Sequence, residues 1–223
     1  MPIWGRTARL VIVVAALMIV FAVKDILIRP PSPPPQVAAG AFDTARAAAR
    51  LKRILGDQRP HPVDSAANDA VRERLLVELR ALGLTPAVRE RMDCNGRANS
   101  RTVSCSLTRN IVATIGPAEG RHLLLNAHYD STPTGPGASD DGIGVAIMLE
   151  IAAQLQRAPP PRSVTLLFNE GEEFGLNGAR AFIEGDPLAA RVDTLINIES
   201  RGVSGPALMF ETSTPNGPAI ADY

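Results

Sequence analysis

Residues 163–179 read SVTLLFNEGEEFGLNGA. The run Ser163–Phe168 is apolar, too short for a helix, and stops at a polar, glycine-containing turn. Such a run is the mark of a buried strand. Directly past its end stand two adjacent like charges, Glu172 and Glu173. On a plain surface loop the pair would be solvated decoration. It means more if other strands of the chain end in the same way.

They do. RHLLLNAHYD (121–130) is a short apolar strand ending in His128 and Asp130, and VDTLINIES (192–200) is a third, ending in Glu199. Between them, DDGIGVAIMLEIAAQLQRA (140–158) reads as a helix with an aspartate cap, and NGARAFIEGD (177–186) as a short helix. Upstream, SAANDAVRERLLVELRAL (65–82) places Val71, Leu75, Leu76, Leu79 and Leu82 at helical spacing, and Gly83 closes it. TPAVRERM (85–92) and TVSCSLTRNIVATI (102–115) read as a pair of exposed strands, and PALMFETS (206–213) as a further strand. Strands alternating with helices predict an α/β fold: a mostly parallel central sheet with helices on both faces.

In an open parallel sheet the carboxyl ends of neighbouring strands share one rim, where ligands bind. Three acidic strand ends and a histidine on that rim would concentrate negative charge, which destabilises a fold unless a cation neutralises it. The loop STPTGPGASDDGIG (131–144) adds Asp140 and Asp141. Capping the helix accounts for one of them, Asp141, and leaves Asp140 free to face the rim. One imidazole among carboxylates suits zinc better than calcium, which takes oxygen ligands. Asp130, two residues beyond His128, is placed to orient its ring.

NAHYDS, GASDDGIG, NEGEEFGLNGA and NIESRG together resemble, in order, the motifs of the di-zinc aminopeptidases, a family that includes bacterial leucyl aminopeptidases, glutamate carboxypeptidase II and membrane-bound endoplasmic-reticulum metallopeptidases. The helix before the sheet is also similar to that family's N-terminal region, and the likeness spans roughly residues 42–212. The resemblance implies a zinc-dependent exopeptidase acting on peptide substrates, with two zinc ions. It implies His128 and Glu199 as ligands of the first, Asp140 as the bridge and Glu173 as ligand of the second. Glu172 becomes the general base, with Asp130 beside it in the catalytic group. Many members carry aspartate where Glu199 stands; glutamate resembles the membrane-bound branch.

The family's second zinc takes a further histidine from a late loop, and this chain has 3 histidines. His122, six residues before His128, would lie about 20 Å away on an extended strand. His61, between two prolines in RPHPVD (59–64), reads as a loop residue. The expectation is that the chain is the N-terminal part of a longer protein whose remaining ligand lies beyond Tyr223. Arg201, in NIESRG, is expected to pair with a nearby carboxylate, and Asn169 and Asn177 to serve turns.

Lys and Arg together number 23, as do Asp and Glu, so the formal charge is zero and no basic footprint for nucleic acid exists. Residues 10–23, LVIVVAALMIVFAV, carry no charge, and Arg6 and Arg9 precede them. A spanning helix needs about 20 apolar residues and a signal core about 7–15. Residues 1–28 therefore read as an uncleaved membrane anchor, with a cleaved signal and a buried core helix as alternatives. Either of the first two places residues 42–223 outside the cytoplasm, periplasmic or luminal. The proline-rich RPPSPPPQ, within a linker spanning 29–41, suits a stiff spacer. In an exported chain Cys94 and Cys105, which close a short polar loop, predict a disulfide; the alternative is two free thiols. Two other functions stay open on the same scaffold: a single-zinc glutaminyl cyclase and a non-catalytic binding ectodomain.

Overall fold

The computed structural model describes residues 5–29, 37–38, 40–96, 101–117, 119–200 and 207–222. Arg201 and most of the proline-rich stretch lie outside them. Two compact units divide the chain, Pro35–Gly202 on one hand and Met1–Pro34 with Val203–Tyr223 on the other.

In the larger unit, α2 (Thr44–Leu55) and α3 (Ala66–Ala81) precede the strands β1 (Ala87–Asn95), β2 (Ser104–Ile115) and β3 (His122–His128). Then come α4 (Gly142–Arg157), β4 (Ser163–Asn169), α5 (Asn177–Gly185) and β5 (Val192–Asn197). Each long helix begins on a side-chain cap: Asp43 accepts from the backbone of Ala45 and Arg46, Ser65 from Asn68, and Asp141 from Gly144.

The sheet order is β1-β2-β4-β3-β5. β3 runs parallel to both β4 and β5, while β2 pairs antiparallel with β1 and β4. The strands expected from the buried runs therefore lie side by side, and their carboxyl ends share one rim. All seven residues of β4 are buried, as befits its central place with helices on both faces. On one face Val71, Leu75 and Leu79 of α3 and Val145, Met148, Leu149 and Ala152 of α4 pack with Ile111, Leu125, Leu166 and Phe168. On the other, Phe182 of α5 packs with Val112, Leu124 and Leu167.

Two sequence expectations need correction. β2 is not an exposed strand: it lies between β1 and β4, and Asn110, Ile111, Val112 and Ala113 are buried. Residues 207–213 form no strand. Pairing, not pattern, makes a strand, and this stretch lies outside the five-stranded ladder with Leu208 and Phe210 exposed. Helix α2 was not expected at all; only Ala47, Ile54 and Leu55 of it are buried.

In the other unit, α1 (Arg6–Ile28) contains a window, Thr7–Leu27, of mean hydropathy 2.7 with none of it buried. Length and composition allow it to cross a membrane. A short helix, α6 (Gly217–Asp222), lies near the other end.

Candidate metal centre

His128 is the last residue of β3 and is 1% exposed. Its Nδ1 faces the backbone carbonyl of Asp130 at 3.0 Å, and that oxygen can only accept. The hydrogen bond places a proton on Nδ1 and turns Nε2 to the opposite side. There Nε2 meets Asp140 Oδ1 at 3.1 Å, Glu199 Oε1 at 3.8 Å and Glu172 Oε2 at 3.9 Å.

Potential ligand atoms fall into two groups, each lying within 4.8 Å of one another: His128, Asp140 and Glu199, and His128, Glu172 and Glu173. Neither His61 nor His122 joins either group. The structure thus brings His128, Asp140, Glu172, Glu173 and Glu199 together. They arrive from three strand ends (His128 from β3, Glu172 and Glu173 from β4, Glu199 from β5) and from the loop before α4 (Asp140).

Asp130 is buried and does more than orient a ring. Its carboxylate accepts the backbone N–H of Glu172 at 3.2 Å and of Glu173 at 3.3 Å. The residue that holds the histidine also holds the glutamate pair in place. Asp141 caps α4 through Gly144 at 3.1 Å and accepts the N–H of His128 at 3.3 Å, tying the helix start to the strand end. Glu199 receives the N–H of Ser200 at 3.0 Å, and Ser200 Oγ lies 2.7 Å from Ser139 Oγ, beside Asp140.

The electrostatics match a site built for a cation. Burial pushes the carboxyls of Asp140, Glu172 and Glu173 upward, and in each case neighbouring carboxylates add to it. Burial would lower His128, but hydrogen bonds to Asp130 and Glu199 and the charges of Asp130 and Asp141 override it and hold the imidazole up to about 12. Several carboxylates around one buried ring form a negative field that a divalent ion would satisfy. Imidazole nitrogen with carboxylate oxygens is a donor set that zinc accepts. The residues fit zinc.

A buried residue that sequence reasoning passed over stands just before the pair. Glu170 is fully buried; Asn68 of α3 and the backbone N–H of Arg109 both donate to its carboxylate, and its own N–H donates to Asn110 Oδ1 at 3.0 Å. Burial raises it to about 7. Its partners lie 60 to 102 residues away, so only its place at a buried strand end could have marked it. His61 sits in a loop as expected but is buried; its backbone N–H donates to Ser131 Oγ at 2.8 Å and its carbonyl accepts the N–H of Ser131. His122 is fixed at the far end of β3, its Nδ1 2.7 Å from Thr165 Oγ1. Asn169 and Asn177 make structural bonds, to Asn126 and to Ser106.

The sequence is similar to the vacuolar membrane protease of Eremothecium gossypii, with 37% identity over 176 residues, 70% of this chain and 17% of that one. The chain therefore spans under a fifth of that relative's length. The fold is similar to the glutaminyl cyclase of Porphyromonas gingivalis, at a TM-score of 0.61 and 24% identity, covering 72% of this chain and 60% of that one. It is equally similar to a Zn-dependent exopeptidase from Parabacteroides distasonis, at 0.60 and 23%, covering 72% and 62%. The sequence model of peptidase family M28 matches residues 110–223, half of the chain. That span holds every side chain gathered around His128, and the chain belongs to peptidase family M28.

Proposed function

We propose that the protein is a zinc-dependent exopeptidase, specifically an aminopeptidase, with its catalytic unit held at a membrane by α1. The observation that carries this is the gathering of one imidazole and four carboxylates into two ligand groups that share His128. In this reading His128 and Glu199 would hold one ion and Glu173 a second, with Asp140 available to both. Zinc supplies Lewis acidity, lowering the pKa of coordinated water to about 7 in favourable sites.

Glu172 then has the geometry of the general base. Its carboxylate shares the rim with the ligands, and its backbone is fixed by Asp130. It takes a proton as water oxygen bonds to the peptide carbonyl carbon, and returns it to the departing amine nitrogen as the C–N bond breaks. Asp130 touches neither substrate nor ion in this scheme; it is a positioning residue for both His128 and the glutamate pair. The side of the membrane proposed for the catalytic unit is the extracytoplasmic one, supported by Arg6 and Arg9 before the apolar run.

Glutaminyl cyclisation is the competing reading, since the fold is shared by enzymes of both kinds and fold alone does not choose a reaction. Elemental analysis of the purified full-length protein, with parallel assays on aminoacyl anilides and on N-terminal glutaminyl peptides, separates them. Two zinc ions and anilide cleavage are expected. One zinc ion with cyclisation, or no zinc and neither activity, would overturn the proposal.

A further inference from the structure

The loop carrying Glu172 and Glu173 is supported from two sides. One support is Asp130. The other is the far end of the β1–β2 hairpin, which meets the loop at three points. Asn95 Nδ2 donates to the carbonyl of Gly175 at 2.7 Å. Asn177 Nδ2 donates to Ser106 Oγ at 2.9 Å. A Cβ at Gly175 would lie 3.2 Å from Ser104 Cβ, and one at Gly171 would lie 3.2 Å from Ser106 Oγ. Both glycines have positive φ, +119° and +80°, so the close seating and the turn depend on their lacking a side chain. Leu176, between them and α5, is held in the left-handed region at φ 61°. A leucine in that conformation persists only where its surroundings over-determine it.

The hairpin end is itself crosslinked. Cys94 and Cys105 face each other in the ladder and their sulfurs are bonded; the next rung is Asn95 opposite Ser104. The covalent bond is therefore one rung from the two residues that touch Gly175. β1 is an edge strand bonded to β2 alone, and the end of a two-stranded ladder opens locally at low cost. A crosslink there prevents that opening.

We propose that the Cys94–Cys105 bond, acting through Asn95 and Ser104, is a positioning device for the Glu172–Glu173 loop. It fixes the seat on which the base and the carboxylate of the second ion are presented. The inference rests on the reading of that pair given above. It is selective, because the hydrogen bonds described for His128 and Glu199 run to Asp130, Asp141 and Ser200 and not to the hairpin.

The test compares full-length wild type with a Cys94→Ser/Cys105→Ser double variant and with Asn95→Ala, which keeps the crosslink and removes one contact. Zinc release is followed against rising chelator concentration, beside kcat, KM and thermal midpoint. The Glu173→Gln variant identifies which release step belongs to the second ion. Groups that support metal ligands typically govern affinity by about 10–100-fold. The second ion should leave the double variant at roughly tenfold lower chelator, by the same principle, with the first ion unmoved. Asn95→Ala should move the same step in the same direction, and kcat should fall in both with little change in KM. Loss of both ions in step with the thermal midpoint would make the bond a general staple and overturn the proposal. So would unchanged release and kcat in both variants. A wild type with a single ion counts against the two-ion reading instead; kcat then decides, falling in both variants if the hairpin seats Glu172 and holding steady if it does not. A wild type with neither zinc nor activity overturns both.

Discussion

Glu172 and Glu173 are chemically identical and adjacent, yet the proposed function gives them different work. Glu172→Gln should retain near-normal zinc and lose turnover by about 10²–10⁴-fold, because an amide cannot take the proton from water. Glu173→Gln should release the second ion, because a charged ligand becomes neutral. Metal analysis beside peptidase assays on both variants decides; equal metal loss in the two, or full activity in Glu172→Gln, would reverse the assignment. This pair was legible in the sequence because the apolar run, the glycine and the charges are contiguous, and because two other strands end in kind. The carboxylate of Asp130 was only half legible. Its nearness to His128 in sequence suggested a role toward the ring. Its bonds to Glu172 and Glu173 cross 42 and 43 residues and leave no spacing to read.

Among the elements, β3, β4, α3 and α4 were readable because each buries a full face and so shows an unbroken run or a helical period. Helix α2 escaped notice for the opposite reason: it is attached largely by charge. Arg46 and Arg50 of α2 pair with the buried Glu150 of α4. Arg53 Nε lies 2.5 Å from Glu78 Oε1 on α3, and Arg50 Nη1 lies 3.0 Å from Glu78 Oε2. A sequence shows arginines as solvated until their partners are placed. Hydrogen bonding from Arg53 holds the Glu78 carboxyl below its ordinary value, against burial, which pushes it up; Arg50 adds to the lowering. A depressed carboxylate contributes stability that is fully present above its unfolded pKa of about 4.3 and is lost as pH falls through the lower folded value. Glu78→Gln should therefore lower the thermal midpoint at neutral pH. The gap to wild type should stay constant down to about pH 4.5 and close below it. Melting curves from pH 7 to pH 3 check this, and a gap independent of pH would show that the ion pairs contribute nothing.

For the whole molecule, the proposed topology puts the catalytic unit outside the cytoplasm, a reading that rests on the uncharged run 10–23 with Arg6 and Arg9 before it. In spheroplasts of a bacterial host, added protease should degrade that unit while the inner membrane is intact; protection until lysis would reverse the topology. The strand ends located the rim, so the architecture was legible where it is local. It was not legible at its margins, where the membership of 206–213 and the central place of β2 depend on which strands find partners. The same dependence bears on β5. Among the described residues this strand is bonded to β3 alone, and its Leu195 and Ile196 are 57% and 49% exposed. An open strand edge with apolar side chains is a template for any other extended chain. In the 223-residue chain that edge offers unpaired backbone and apolar side chains together, a place where a second extended chain can add as a further strand.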